Sequence, residues 1–393
     1  MNLEIQLLKT KEEFANIRDE WNALTERCAY PNIFTTWDWQ SIWWKWFGTE
    51  LRGKLWILTI RRTTTSELIG IVPFYRSHRL FPFFFGKRHI MLVGYGGRTC
   101  PEYLGPIIQQ DCIDEVVDAV VNFIKDHPNE WDSIFFEDYA LDDPGTISFV
   151  NKLKSTFSSL FGDGEGRYII QLPDDYDTYL KSLSSHNRHR KRLMMNQAKK
   201  LYNAHVECQL SENQEEWFPL IVSLTTDARN HKNQSSPFLE RTYAGFHREL
   251  LRSMLPQNRA IVQFLYFNEC PVACWYAFLF HQKCYAYQQG SVRNVKGSPG
   301  TVGAFFLLEH CMKNGFEEFD FLRGGERYKT SFTSLFRATE WCFVFRKRGI
   351  AYWSRMLLER IVRPVYRKIK RIFRRLVEKQ QTKEETQTAE KAT

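Results

Sequence analysis

An α/β (or α+β) architecture in two units is what this sequence predicts, and three observations carry the prediction. The chain has 393 residues, more than one core of ordinary size organises. Apolar residues at helical spacing alternate with strand-like runs along its length. The order of helix, paired strands, helix and strand occurs before Leu172 and again after Asp174, so a weak internal duplication is expected. A hydrophobic fraction of 43%, with 15% aromatics, is ample for two cores and excludes a disordered chain.

The first unit is expected over 1–173. In "KTKEEFANIRDEWNALTERC", Phe14, Ile17, Trp21 and Leu24 fall on one helical face. "LWILTIRR" and "LIGIVPFY" read as strands around the turn-like "TTTSE", and the aromatic run "FPFFFGKRHIMLVGYGG" follows. A helix over Ile113–Lys125 and a strand around "SIFFEDY" complete the unit. The second unit, 174–345, opens with a helix from Tyr176 to Leu201. Helical spacing returns in "EEWFPLIVSLTTDARNH" and near Phe238–Met254. Three strands come next, "AIVQFLYF", "VACWYAFLF" and "KCYAYQQGSV". The helix "TVGAFFLLEHCMKNG" then stops at Gly315 and delivers the chain into "EEFDFLRGGERYKTSF". Residues 346–393 are expected to form a basic amphipathic helix and a polar tail.

Composition narrows the class. The nine cysteines form no CxxC pair and read as buried thiols of a reducing compartment. The N-terminal stretch lacks a basic region followed by an apolar one, and the longest apolar run, Val272–Phe280, is far shorter than a membrane span. A cytoplasmic location is therefore expected. Net charge is +9, yet Arg346–Lys379 holds thirteen Lys/Arg against Glu359 and Glu378, which is 13 − 2 = +11, so the remainder carries 9 − 11 = −2. Ile350, Trp353, Leu357, Ile361, Val365, Ile369, Phe373 and Leu376 recur through that segment at steps of three or four. That is the composition of a helix lying in an anionic membrane surface, expected at the inner face, while a helix docked on the protein's own acidic remainder or binding RNA stays open as the lesser alternative.

Three stretches could carry chemistry. In "GSVRNVKGSPGTVGAFFLLEH", Ser298 can cap a helix, Pro299 suits its first position, and Gly300 lets another molecule approach the backbone. The result is either an anion site or simply a well-capped core helix. In "SLSSHNRHRKRLMMNQAKKL" an unbroken basic helix, with Arg188, Lys191 or Arg192, and Lys199 toward one side, offers itself to phosphates of a cofactor or an RNA, or only to solvent. In Glu317–Phe332, Asp320 on a covered strand is a structural hub or a proton acceptor. If an acyl group is transferred, Tyr328 could protonate a leaving thiolate and Lys329 could neutralise a phosphate or an oxyanion. Otherwise Tyr328 packs and Lys329 is solvated. His186, His189, His231 and His247 lack metal-ligand spacing, and no serine-hydrolase or P-loop motif occurs.

The Pro-Val-Ala strand at Pro271, the Ser298-Pro299-Gly300 helix start, Asp320-Phe321-Leu322-Arg323-Gly324 and Tyr328-Lys329 together resemble the C-terminal domain of GNAT-like acetyltransferases of the cellulose-biosynthesis (CelD/BcsL) type. Upstream, "FTTWDWQSIWWKWFG", "LIGIVPFY" and "EYLGPII" are similar to the same family's N-terminal half, so the resemblance runs from about Phe34 to Phe345. The family's pyrophosphate loop, [QR]-x-x-G-x-[GA], is matched loosely by Arg293–Gly300. Phe332 stands near where the family usually has Trp. The resemblance implies two tandem GNAT-like domains with mixed sheets flanked by helices, related to Fem-type peptidyltransferases. It further implies acyl transfer from acetyl-coenzyme A or another acyl thioester, without a metal, to a sugar-linked or amine acceptor of envelope or exopolysaccharide synthesis. Under it, Arg293, Ser298, Gly300 and Thr301 would meet the donor's phosphates and Arg323 an anion. Asp320, Tyr328 and Lys329 would be catalytic. Two other readings stay open: a Fem-like aminoacyl transferase whose helix at Arg188–Lys200 grips tRNA, and a non-catalytic scaffold at the membrane.

Overall fold

Runs that are apolar on both faces become central strands, and helices cover both sides of two mixed sheets. The computed structural model describes residues 3–77, 88–99, 101–209, 214–230, 234–292, 294–326, 328–358 and 360. The first half contains β1 (Leu3–Leu8), α1 (Lys11–Asn16), α2 (Arg18–Arg27), α3 (Trp37–Phe47), β2 (Lys54–Arg62), β3 (Leu68–Ser77), β4 (His89–Leu92), β5 (Ile107–Ile108), α4 (Ile113–Asp126), β6 (Ser133–Ala140), α5 (Pro144–Thr156) and β7 (Ser158–Asp163). The second contains β8 (Arg167–Gln171), α6 (Tyr176–Ser182), α7 (Ser185–Tyr202), β9 (His205–Gln209), α8 (Gln214–Asn230), α9 (Arg241–Met254), β10 (Ala260–Phe267), β11 (Cys270–Phe280), β12 (Lys283–Ser291), α10 (Pro299–Lys313), β13 (Glu318–Arg323) and β14 (Phe336–Arg337). The described chain ends with β15 (Thr339–Phe345) and α11 (Ile350–Leu357).

Among the described residues the sheets run β1-β2-β3-β4-β6-β15-β7, with β5 beside β3, and β9-β10-β11-β12-β13-β8-β14. Position by position they correspond. Each has one parallel pair, β4 with β6 and β12 with β13, and antiparallel neighbours elsewhere. The duplication visible in the sequence is therefore a duplication of topology. One strand in each sheet is exchanged. β8 follows β7 in the chain yet pairs between β13 and β14, and β15 follows β14 yet pairs between β6 and β7. β8, inside the expected first unit 1–173, thus belongs to the second sheet, and β15, inside the expected second unit 174–345, belongs to the first. Neither half can leave the other without unpairing a strand from the middle of a sheet.

The helix expected over Tyr176–Leu201 is two helices. Asp175 caps α6, and Ser184 caps α7 after a break at Leu183. The face of α7 also differs from the expected one. Lys191, Met195 and Ala198 are buried, whereas Leu193 and Leu201 are exposed. Lys191 tolerates burial because its ammonium lies 3.8 Å from the Phe332 ring and donates to Ser331 Oγ at 2.9 Å. Burial pushes its pKa down to about 8. The described cysteines are free thiols, and two of them, Cys208 and Cys270, are exposed rather than buried.

One core runs through the first sheet and across to the near face of the second, where Phe34 and Trp39 meet Phe278 and Tyr287. The far face of the second sheet is covered by α6, α7 and α10. The second sheet is therefore wedged between the first half and α10, and whatever opens within it is reached from its edge.

Candidate active site

β12 and β13 pair through three residues only, Lys283↔Glu318, Cys284↔Phe319 and Tyr285↔Asp320, and then part. Two bulges accompany the parting. Tyr287 is the extra residue on β12 against β11, since Tyr276 faces Gln288 and Ala277 faces Ala286. On β13 the register against β8 shifts between Asp320 and Arg323, and Leu322 takes φ +59°. Asp320 accepts a hydrogen bond from Leu322 N at 2.7 Å, which satisfies the amide that the bulge takes out of the ladder. Strand alternation sends Phe319 and Phe321 toward α10, and Asp320 and Leu322 toward the first half.

The N-terminus of α10 lies against the end of β12, where Gly300 packs on Gln289 and Ser291. Gly297 at φ +100° and Ser298 at φ +53° curl the loop into it. Ser298 holds the N-cap position but makes no side-chain cap, and its carbonyl accepts from Thr301 N and Val302 N. Pro299 occupies the first turn, as expected, and no acidic residue lies in that turn. Gly300 also packs on the sheet. Its carbonyl accepts from Trp275 Nε1 at 3.1 Å, and a Cβ there would come within 2.0 Å of Gln289 Nε2 on β12. That amide is the free end of a flexible side chain, so a Cβ at this position would push Gln289 aside as well as crowd any ligand at the helix start. Arg293 lies outside the described residues. Beside the loop a cleft of about 620 Å³ opens between Asp227 and Asn230 of α8 and Cys270, Val292, Asn294 and Val295.

The crowd of charges at the end of β13 resolves into separate environments. Lys329 is 2% exposed, and its Nζ donates to the carbonyls of Leu322, Arg323 and Gly324 at 3.1, 2.9 and 3.2 Å while pairing with Glu326 at 2.8 Å. Every donor it has is spent on closing the Gly324-Gly325 turn, so Lys329 is a clamp on the backbone rather than the expected phosphate or oxyanion contact. Arg323 is likewise committed, to Asp138 at 2.8 Å, Glu137 at 3.4 Å and Glu102 at 3.6 Å, all from the first half. Three carboxylates around one guanidinium disfavour the anion contact expected of it.

Asp320 is the hub that one of its two sequence readings expected. It is 1% exposed, accepts from Tyr103 at 3.2 Å and lies 3.7 Å from Arg167 Nε. Burial raises its pKa, with Arg167 opposing. Tyr328 is the group left facing outward. It is 39% exposed, with its ring edge-on to Phe321 and Phe332 on the α10 side of the gap. Its pKa is raised by burial and, secondarily, by Glu326, so the phenol keeps its proton at neutral pH.

Sequence reasoning missed the partners. Arg167, 1% exposed, binds Asp142 at 2.6 Å and the Tyr30 hydroxyl at 2.9 Å, and its guanidinium lies 3.9 Å over the Tyr103 ring. Glu102 is buried with Oε2 unpartnered among the described residues, and burial raises its pKa to about 8. Glu102 and Tyr103 fall within "EYLGPII", a stretch noticed for its resemblance. Nothing in the spacing marked Arg167, because its partners come from distant parts of the chain.

Residues 185–330 match the family model described as acetyltransferase (GNAT) domain. Curated proteins give no match in sequence. Among solved structures, FemX is similar with a TM-score of 0.59 at 10% identity, over 87% of this chain and 98% of that one. L-PGS from Bacillus licheniformis is similar with a TM-score of 0.54 at 9% identity, over 89% and 96%. A conserved protein of unknown function from Bacteroides thetaiotaomicron VPI-5482 reaches 0.53 at 12% identity, over 87% and 100%. At such identities the likeness is one of fold. The GNAT match spans α7 through β13 and the turn after it, and the first sheet repeats that strand order. The chain therefore carries two GNAT-like units in tandem.

Proposed function

We propose that this chain moves an acyl group, acetyl in the first instance, from a coenzyme A thioester to an amine or hydroxyl, and that the second unit holds the donor. The observation that carries the reading is an α10 N-terminus that bears no acidic residue in its first turn and lies against β12 beyond the residues that pair with β13, within the segment matching the GNAT domain. An uncapped N-terminus with its positive dipole end suits a pyrophosphate. The N-terminal turn at Ser298–Thr301 would hold the donor's phosphates, and the parted strands would receive its extended arm. When the acceptor attacks the thioester carbonyl, the C–S bond breaks and the thiolate leaves with the bonding pair. Tyr328, protonated and exposed at the strand end, supplies its proton, and the proton that the acceptor's nitrogen or oxygen sheds as it bonds to the carbonyl carbon returns through solvent to restore the phenol. Asp320 positions β13 rather than touching the reacting atoms. Sugar-linked or amine acceptors of envelope or exopolysaccharide synthesis are the class proposed, on the residues that resemble the cellulose-biosynthesis type.

A second reading has one observation in its favour. α7 carries no acidic residue and exposes Arg190, Arg192, Lys199 and Lys200, and the chain is similar in fold to FemX. A Fem-like transferase would use that helix to grip the phosphates of an aminoacyl-tRNA. Thermal melts with coenzyme A and with tRNA separate the readings. A rise in Tm with coenzyme A alone, with thiol release from acetyl-coenzyme A when a lysate acceptor pool is added, is the expected result. A rise with tRNA alone would transfer the assignment to the second reading, and a rise with neither would favour the scaffold.

A further inference from the structure

Helix α9 packs on α3 through Phe246, whose ring meets Trp39 and Phe47 edge-on. Farther along the same pair of helices a cleft of about 520 Å³ opens, with Lys45 and Trp46 of α3 on one wall and Arg241, Arg248 and Arg252 of α9 on the other. Gly245 lies between these arginines, and a Cβ there would come within 2.2 Å of the Trp46 ring. Glycine therefore lets the indole seat against the backbone of α9. The one carboxylate of the lining, Glu249, is already taken, since Lys45 Nζ and Trp46 Nε1 both donate to it at 2.8 Å. Arg248 pairs with Glu215 at 2.8 Å. Arg241 and Arg252 are exposed, and among the described residues their side chains make no hydrogen bond or ion pair.

Four cations against one carboxylate leave the lining at 4 − 1 = +3. The excess is local. The basic stretch 346–379 lies mostly outside the described residues, and the rest of the chain carries 9 − 11 = −2. Like charges four residues apart, as at Arg248 and Arg252, disfavour a helix on their own, so a bound anion would stabilise the row. From Arg241 to Arg252 the row runs about 16 Å at 1.5 Å per residue, longer than a single phosphate but spanned by phosphoryl groups joined in series. Each guanidinium offers such a group a bidentate fork. The volume falls in the range of about 300–1,000 Å³ typical of small-molecule sites. We propose that the cleft between α3 and α9 binds a small ligand carrying two or more joined phosphoryl groups, gripped by Arg241, Arg248 and Arg252. None of its lining belongs to α10 or the loop before it, and the site does not depend on the reaction proposed above.

Calorimetric titration of the full chain with inorganic pyrophosphate, beside orthophosphate and adenosine diphosphate, tests it. At low salt the wild type should bind pyrophosphate about tenfold or more tightly than orthophosphate, with affinity falling as salt is added. Arg241→Gln with Arg252→Gln should weaken pyrophosphate binding about tenfold or more without changing the melting curve, since both side chains are exposed. Thr301→Glu, which acts at the start of α10, should leave this binding in place, so a failure of the donor reading is told apart from a failure of this one. Adenosine diphosphate bound more tightly than pyrophosphate, or less, distinguishes a nucleotide from an inorganic source, and either order supports the site. No pyrophosphate binding by the wild type, equal affinity in the double variant, or equal affinity for orthophosphate would each overturn the proposal. Binding lost in Thr301→Glu and kept in the double variant would overturn it too, by placing pyrophosphate at α10. Oligouridylate bound more tightly as it lengthens, with no binding of pyrophosphate, would give the row to single-stranded RNA instead.

Discussion

The two halves carry the same sheet device and furnish it differently. β4 and β6 of the first half pair in parallel through three residues, His89↔Ser133 to Met91↔Phe135, as β12 and β13 do in the second. The helices that follow are opposites at their first turns. α4 opens with Asp114 and Glu115, whereas α10 opens with Pro299, Gly300 and Thr301 and no acid. Carboxylates at a helix N-terminus satisfy the dipole from within the protein and repel a phosphate, so α4 is finished where α10 is left open. A shared topology therefore does not imply a shared task. The first half supplies acidic and aromatic partners, Tyr30, Glu102, Tyr103, Asp138 and Asp142, to basic groups of the second. It acts as the wall against which the other half's strands are held.

That contrast can be broken at several points. The largest effect is expected at Tyr328. If the second half performs the chemistry, Tyr328→Phe should lower turnover about 10²- to 10⁴-fold with little change in stability or donor affinity. Steady-state kinetics beside a melting curve measures both, and unchanged turnover would remove Tyr328 from the mechanism. Next is the wall itself. Arg167→Ala leaves Asp320 and Asp142 facing each other's side of the seam without their shared cation, at a cost of about 3–5 kcal/mol. Because β8 and β15 are exchanged between the sheets, unfolding should remain one transition by fluorescence and by circular dichroism. Two separated transitions would show that the exchange does not couple the halves.

A smaller effect concerns pH. Burial raises Glu102 from its ordinary 4.5 to about 8, so folding favours the protonated carboxyl. Its contribution is present in full below pH 4.5 and is lost as pH rises through about 8. Arg323, Asp138, Asp320 and Glu137 surround it and should stay unaltered in the comparison. Relative to Glu102→Gln, the wild type should lose thermal stability between these limits, and parallel Tm profiles for the two proteins would contradict this.

Much of the frame was legible in the sequence, because alternation and helical spacing suffice for strands such as β2, β3, β10, β11 and β12 and for helices α4 and α10. The exchange of β8 and β15 was not. "RYIIQ" and "TEWCFVF" were not singled out as strands, and which sheet receives them is decided by tertiary packing. The same limit divides the candidate site. The burial of Asp320 followed from its strand, whereas the fates of Lys329 and Gly300 depend on three carbonyls and on Gln289, groups that only the fold brings near.

The central claim, that the donor is held at the open N-terminus of α10, is tested most directly by copying the closed half into it. Thr301→Glu places at the third position of α10 the residue that α4 carries there as Glu115. Calorimetric titration with coenzyme A, beside a thermal melt without ligand, should show opposite signs. Affinity should fall about tenfold or more through repulsion of the phosphates, while the free protein becomes more stable by about 0.3–1 kcal/mol as the dipole gains a partner. Wild-type affinity in a folded Thr301→Glu protein, or no coenzyme A binding by the wild type at all, would contradict the account.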